Sequence, residues 1–216
     1  MAQVWYSVSF LLSLILICFL WWLVYRFPSV RRLWGLLAMG WTLNMASTAF
    51  WGLYVMLVGQ DVPDLVDIIY IARYVFVGLA FLVYPAVFSI RRIVEVLGAM
   101  VVAVVVLWFG LVEPFNATTG EPLSYIWANA LFPILDVGVL YAVWTRWQNA
   151  ADEMVGVTMR WLTLSMLAYG LANWINFSAR TVVADADSLG ALLFWFLTDL
   201  FAAVAAWQFL RHRRKR

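Results

Sequence analysis

"DIIYIARYVFVGLAFLVYP", residues 67–85, is apolar almost throughout and yet carries Arg73 in its interior. A run of about 20 apolar residues is long enough to cross a bilayer. An arginine inside such a run needs a partner, or a path back to the headgroups. The rest of the chain decides which solvent this stretch meets. Of the 216 residues, 66% are hydrophobic and 12% are charged. A soluble chain carries about 45–50% and about 25%. Charges this sparse cannot coat a water-facing surface, so the expected solvent is lipid.

Working outward from that stretch, the same pattern recurs. Seven apolar spans are predicted at about 4–25, 33–58, 64–88, 93–112, 123–146, 157–178 and 188–210. Charge, Gly and Pro collect in the connections: "RFPSVRR", "GQDVPD", "SIRR", "EPFNATTGEP", "RWQNAADEM" and "ARTVVADADS". The expected fold is all-α, a polytopic seven-helix membrane bundle. It forms a single domain over residues 1–210, followed by a basic tail at 211–216. The first span lacks a basic n-region and a small-residue cleavage signal, so it reads as a membrane helix rather than a signal peptide.

Basic residues favour the cytoplasmic side of short loops. Arg26, Arg31, Arg32, Arg91, Arg92, Arg146, Arg160, Arg211, Arg213, Arg214, Lys215 and Arg216 all fall on one predicted face. The opposite loops hold Asp61, Asp64, Glu113, Glu121, Asp185 and Asp187, with Arg180 as the one exposed base. The expectation is an outer N-terminus and a cytoplasmic C-terminus, in the inner membrane of a prokaryote. Residues Arg211, Arg213, Arg214, Lys215 and Arg216 follow an apolar helix directly and read as an anionic-lipid anchor rather than a nucleic-acid patch. Most of the 14 Trp, including Trp21, Trp22 and Trp34, sit near predicted helix ends, where indole rings settle at headgroup depth. Trp41, Trp51, Trp174 and Trp195 lie deeper or are less firmly placed, and read as packing residues.

Several chemistries are excluded by residue type. The sole lysine, Lys215, and the sole histidine, His212, both lie in the tail. Retinal therefore has no amine for a Schiff base. Haem iron, chlorophyll magnesium and metal ions have no intramembrane imidazole. The lone Cys18 excludes an intrachain disulfide. No catalytic constellation is visible, and the chain is expected not to be an enzyme. No covalent cofactor or metal is expected. Bound lipid, quinone or pigment tails are compatible with a Trp- and Phe-rich surface.

What answers Arg73 is the remaining question. Arg73 sits about 13 Å into its span at helical rise, and Asp136 and Asp199 about 17–20 Å into theirs, counted from the outer end. A charge at such depth costs about 2.5–3.5 kcal/mol unless it is paired or neutralised. Arg73 is expected to face the bundle interior and to pair with Asp136 or Asp199. Asn44, Asn129 and Asn173 supply amides for the same network. Pro133, three residues before Asp136, removes an amide and frees the carbonyl of Asn129. The resulting kink can open a pocket beside the acid. Pro85 is expected to bend the inner end of the third span, chiefly for packing. Two readings stand: a polar clasp that sets helix register, and a proton or ligand site.

These residues carry a resemblance. Asp67-x-x-Tyr70-x-x-x-Tyr74, Pro133-x-x-Asp136, and Trp195 followed by the small-residue run Ala202–Ala206 resemble the seven-helix N-terminal regions of bacterial membrane signalling proteins. Those regions precede diguanylate cyclase or histidine kinase domains. The resemblance spans most of the chain and implies a sensing role. Asn173 stands where that family often has an acid. The sequence ends six residues after the last span, without an output domain. The expectation is therefore a non-catalytic accessory or assembly subunit packed against other membrane protein subunits, in a photosynthetic or respiratory complex. The alternatives are a stand-alone sensor partnering a separate kinase or cyclase, and a small transporter or lipophilic-ligand binder. Membrane lipids are expected partners; nucleic acid is not.

Overall fold

The computed structural model describes residues 2–58, 65–83, 90–109, 123–182 and 189–213. Among these residues every long element is an α-helix, and no strand occurs. In chain order the helices are α1 (Ala2–Arg26), α2 (Arg31–Val58), α3 (Leu65–Val83), α4 (Ile90–Leu107), α5 (Leu123–Gln148), α6 (Glu153–Val182) and α7 (Leu189–Arg213). The seven apolar runs read from the sequence thus each become one helix. A single 3₁₀ turn, Pro28–Val30, carries the chain from α1 into α2. Proline suits its first position because the missing N–H would have had no helical partner there.

The helices fall into two compact units, residues 7–88 and residues 1–6 with 89–216. In the first unit, α1 and α2 form an antiparallel pair. Trp21 Nε1 donates to Thr42 Oγ1 at 3.1 Å, and Val24 packs near Gly35 at the turn end. Helix α3 returns along α2, with Thr48 Oγ1 and Tyr70 Oη hydrogen-bonded at 3.1 Å. The crossing is close because Gly40 has no side chain. A Cβ there would lie 2.5 Å from Val77 Cγ2 and 3.5 Å from the Arg73 carbonyl. The buried core of this unit is Leu16, Leu20, Leu23, Leu33, Leu37 and Phe81, joined by Trp34. Trp34, expected to settle at headgroup depth, is packed inside this unit. It lies in the first turn of α2 but is fully buried, because helix rotation, not distance from the helix end, decides which way its ring points.

In the second unit α4, α5, α6 and α7 pack as successive antiparallel neighbours. Gly138 of α5 lets α4 approach, since a Cβ there would meet Met100 Sδ at 2.8 Å. The α5–α6 turn closes through Asn149 Nδ2 donating to the Thr145 carbonyl at 2.7 Å. Asp152 caps α6, accepting the Val155 N–H on Oδ1 at 2.9 Å. Helices α6 and α7 pack along most of their length. Ala202, Ala205 and Ala206 are buried in this unit, and small side chains permit such an approach. The pair is also bonded deep inside: Ser165 Oγ donates to the Thr198 carbonyl at 2.8 Å.

Among the described residues two segments, Ser7–Arg26 and Gly190–Arg213, are long and apolar enough to cross a membrane. Ile68–Leu82 and Ile93–Leu107 are shorter apolar helices. The remaining helices interrupt their apolar runs with polar groups: Thr42, Asn44, Ser47 and Thr48 in α2, Asp136 in α5, and Thr158, Thr163, Ser165 and Asn173 in α6.

Candidate functional site

The most developed polar arrangement among the described residues lies in the second unit, where one turn each of α5, α6 and α7 meets. Asp136, on α5, is buried. Asn173, on α6, donates from Nδ2 to Asp136 Oδ2 at 2.7 Å. Trp195, on α7, donates from Nε1 to Asn173 Oδ1 at 3.3 Å. The amide thus spends one donor on the carboxylate and its acceptor on the indole, and so links three helices through a single side chain. Gly170, one turn before Asn173 on the same helix face, lies against Asp136. A Cβ there would already be in van der Waals contact, 3.4 Å from Asp136 Cβ.

The local sequence explains the placement. Pro133 lies inside α5 and cannot donate to the carbonyl of Asn129, so the ladder is broken one turn before Asp136. Trp195 and Asp199 are one turn apart on α7, so they share a face. Asp199 is buried, as is its neighbour Thr198, whose hydroxyl donates to the Phe194 carbonyl at 2.9 Å. A buried carboxylate is costly unless it is hydrogen-bonded, as Asp136 is by Asn173. A bond to a charged group contributes about 1.5–3 kcal/mol in water-soluble proteins.

Arg73 lies in the first unit and is buried there. Its guanidinium carbon is 5.8 Å from the Trp41 ring centroid and 5.4 Å from that of Tyr74. A guanidinium held between two aromatic faces recovers part of its lost hydration through the ring quadrupoles, each contact being worth about 0.5–2 kcal/mol. Tyr74 was legible as part of the third-span motif. The partnership with Trp41 was not, because it depends on the crossing at Gly40. Tyr70 bonds Thr48, and the carbonyl of Asn44 accepts from the same Thr48 hydroxyl at 3.0 Å. The sequence expectation set Arg73 against Asp136 or Asp199, which belong to the other unit.

The side chains of Asp67 and Asn129 lie outside the described residues, as do Pro85, Arg214, Lys215 and Arg216 entirely. At the described start of the tail, Arg213 packs over the Phe209 ring, and Arg211 is exposed. His212 Nε2 is 3.8 Å from Glu153 Oε1, joining the end of α7 to the start of α6. Arg146, assigned from the sequence to the cytoplasmic side, is buried in the last turn of α5. Among the described residues, no three of His, Cys, Asp and Glu come together in a way that could hold a metal ion. No protein-family model, curated protein or solved structure matches this chain.

Proposed function

We propose that the chain is a polytopic inner-membrane protein of a prokaryote, with all seven helices crossing the bilayer, the N-terminus outside and the C-terminus cytoplasmic. We further propose that it works without catalysis, as an accessory or assembly subunit packed laterally against a larger membrane complex. The observation that carries this reading is the inverted distribution of polarity. Large apolar side chains are exposed on every helix: Ile15, Leu57, Ile68, Val101, Trp144, Leu171 and Trp207 are examples. The ionisable residues Arg73, Asp136, Arg146 and Asp199 are buried. Water would penalise both halves of that arrangement, whereas lipid or an apolar partner favours both. Helix α4 is the extreme case, with Val94, Leu97, Val101, Val102, Val105 and Val106 all exposed on an 18-residue helix.

The decisive experiment is purification in mild detergent. Recovery within a large pigmented or redox assembly supports the subunit reading. Recovery as a lone monomer overturns it and leaves a transporter or lipophilic-ligand binder.

A second reading is a membrane sensor module that signals to a separate kinase or cyclase, in line with the resemblance to bacterial signalling proteins. The Asp136–Asn173–Trp195 chain favours it. A ligand or proton that alters the carboxylate would be felt by α6 and α7 through one amide. Co-purification of a soluble kinase or cyclase, in place of membrane subunits, supports that reading over the first.

A further inference from the structure

We propose that the turn between α1 and α2 is a binding surface for the headgroup of an anionic phospholipid. The inference rests on the membrane reading above and concerns a site separate from the polar chain in α5–α7. The first 60 residues contain Arg26, Arg31 and Arg32 and no acidic residue at all. All three arginines are exposed, within seven positions of one another, across the end of α1 and the start of α2. Among the described residues none of them forms an ion pair, whereas exposed Arg91 pairs with its own Glu95 at 2.9 Å. Arg31 is tied back over α1, its Nε donating to the Val24 carbonyl at 3.4 Å, and this keeps its guanidinium beside the turn.

An aromatic cluster frames these charges. Trp22 stacks on Phe19 at 5.9 Å between centroids and meets Phe27 edge-on at 6.1 Å. Trp21 and Trp22 are exposed, and Tyr25 is 83% exposed. Trp and Tyr rings settle where acyl chains give way to headgroups. Helix α1 is also, among the described residues, long and apolar enough to cross a membrane, and on the membrane reading its end would lie at that depth. All three charges are guanidinium groups. Their fork of donors matches the oxygens of a phosphodiester. A phosphate bearing acyl chains satisfies both halves of the surface, the arginines with its headgroup and the exposed rings with its tails. A free phosphate satisfies only one.

The test uses the full chain in detergent. Native mass spectrometry would measure retention of phosphatidylglycerol against phosphatidylcholine of the same chain length. Wild type is expected to retain the anionic lipid preferentially, and added salt to reduce that preference. In R26Q/R31Q/R32Q the preference should fall by at least about tenfold, since each basic residue at a membrane surface contributes about fivefold. Exposed substitutions of this kind seldom disturb folding. The three single variants are run in parallel, and if the triple variant does not fold, a fall in any of them supports the site. Unchanged preference in every folded variant overturns it. So does displacement of the lipid by glycerol 3-phosphate at equal concentration, which would assign the site to a soluble phosphate. Failure of the membrane reading looks different: the chain would then stay in solution without detergent.

Discussion

At the scale of single residues, the structure makes Asn173 the most consequential polar side chain. Asn173→Leu removes the donor to Asp136 and the acceptor for Trp195 in one step. Thermal unfolding in detergent should show a loss of about 1–3 kcal/mol, the penalty of leaving buried polar groups without partners. Couplings measured inside membranes average about 0.6 kcal/mol, so a cycle of Asp136→Leu with Asn173→Leu should exceed that figure if the carboxylate is charged. Additivity within error would mean that the 2.7 Å bond contributes no coupling. The pairing of Arg73 with an acid, read from the sequence, has its own test. Arg73→Leu should destabilise, and Arg73→Leu combined with either Asp136→Leu or Asp199→Leu should recover part of the loss. If neither double variant recovers anything, Arg73 is paired with neither acid.

At the scale of helices, glycines separate close crossings from open surface. Ala is favoured over Gly within a helix by about 1 kcal/mol. At Gly52, Gly78 and Gly98 a Cβ would meet nothing within 4 Å, so each Gly→Ala change should raise stability by up to that amount. At Gly40 the same change drives a methyl into Val77, a β-branched side chain with little freedom to move. Gly40→Ala should instead lose about 1–3 kcal/mol by overpacking. Gly138→Ala should fall between, because its neighbour Met100 is flexible. Melting temperatures of the five variants, measured side by side, check this order. Gly40→Ala at or above wild type would show that α2 and α3 do not cross as closely as described. Helix existence was legible from run length alone, since a long apolar run needs its backbone bonds satisfied locally. Helix facing was not: Trp34, read from its place near a helix end as a headgroup ring, turns inward as Trp41 does.

At the scale of the molecule, the proposed orientation makes the polarity of the loops measurable. In a background lacking Cys18, a cysteine at Thr119, between α4 and α5 in sequence, should react with a membrane-impermeant thiol reagent added to intact cells. A cysteine at Gln148, exposed at the end of α5, should react only after the cells are opened. The opposite pattern reverses the topology. Equal labelling of both positions in intact cells would remove the seven-span reading itself.

The sequence by itself determined the all-helical class and, among the described residues, the seven helices, because these follow from local run length. It also singled out Arg73, Asp136, Asn173 and Asp199, since a polar group in an apolar run is conspicuous wherever it points. Tertiary structure alone decided what each of these touches. A rotation of one residue about a helix axis is about 100°, enough to move a side chain from a neighbouring helix to the outer surface. Run length and composition carry no record of that angle. The bond between Asn173 and Asp136, the donor from Trp195, the seat of Arg73 between Trp41 and Tyr74, and the inward turn of Trp34 all depend on it.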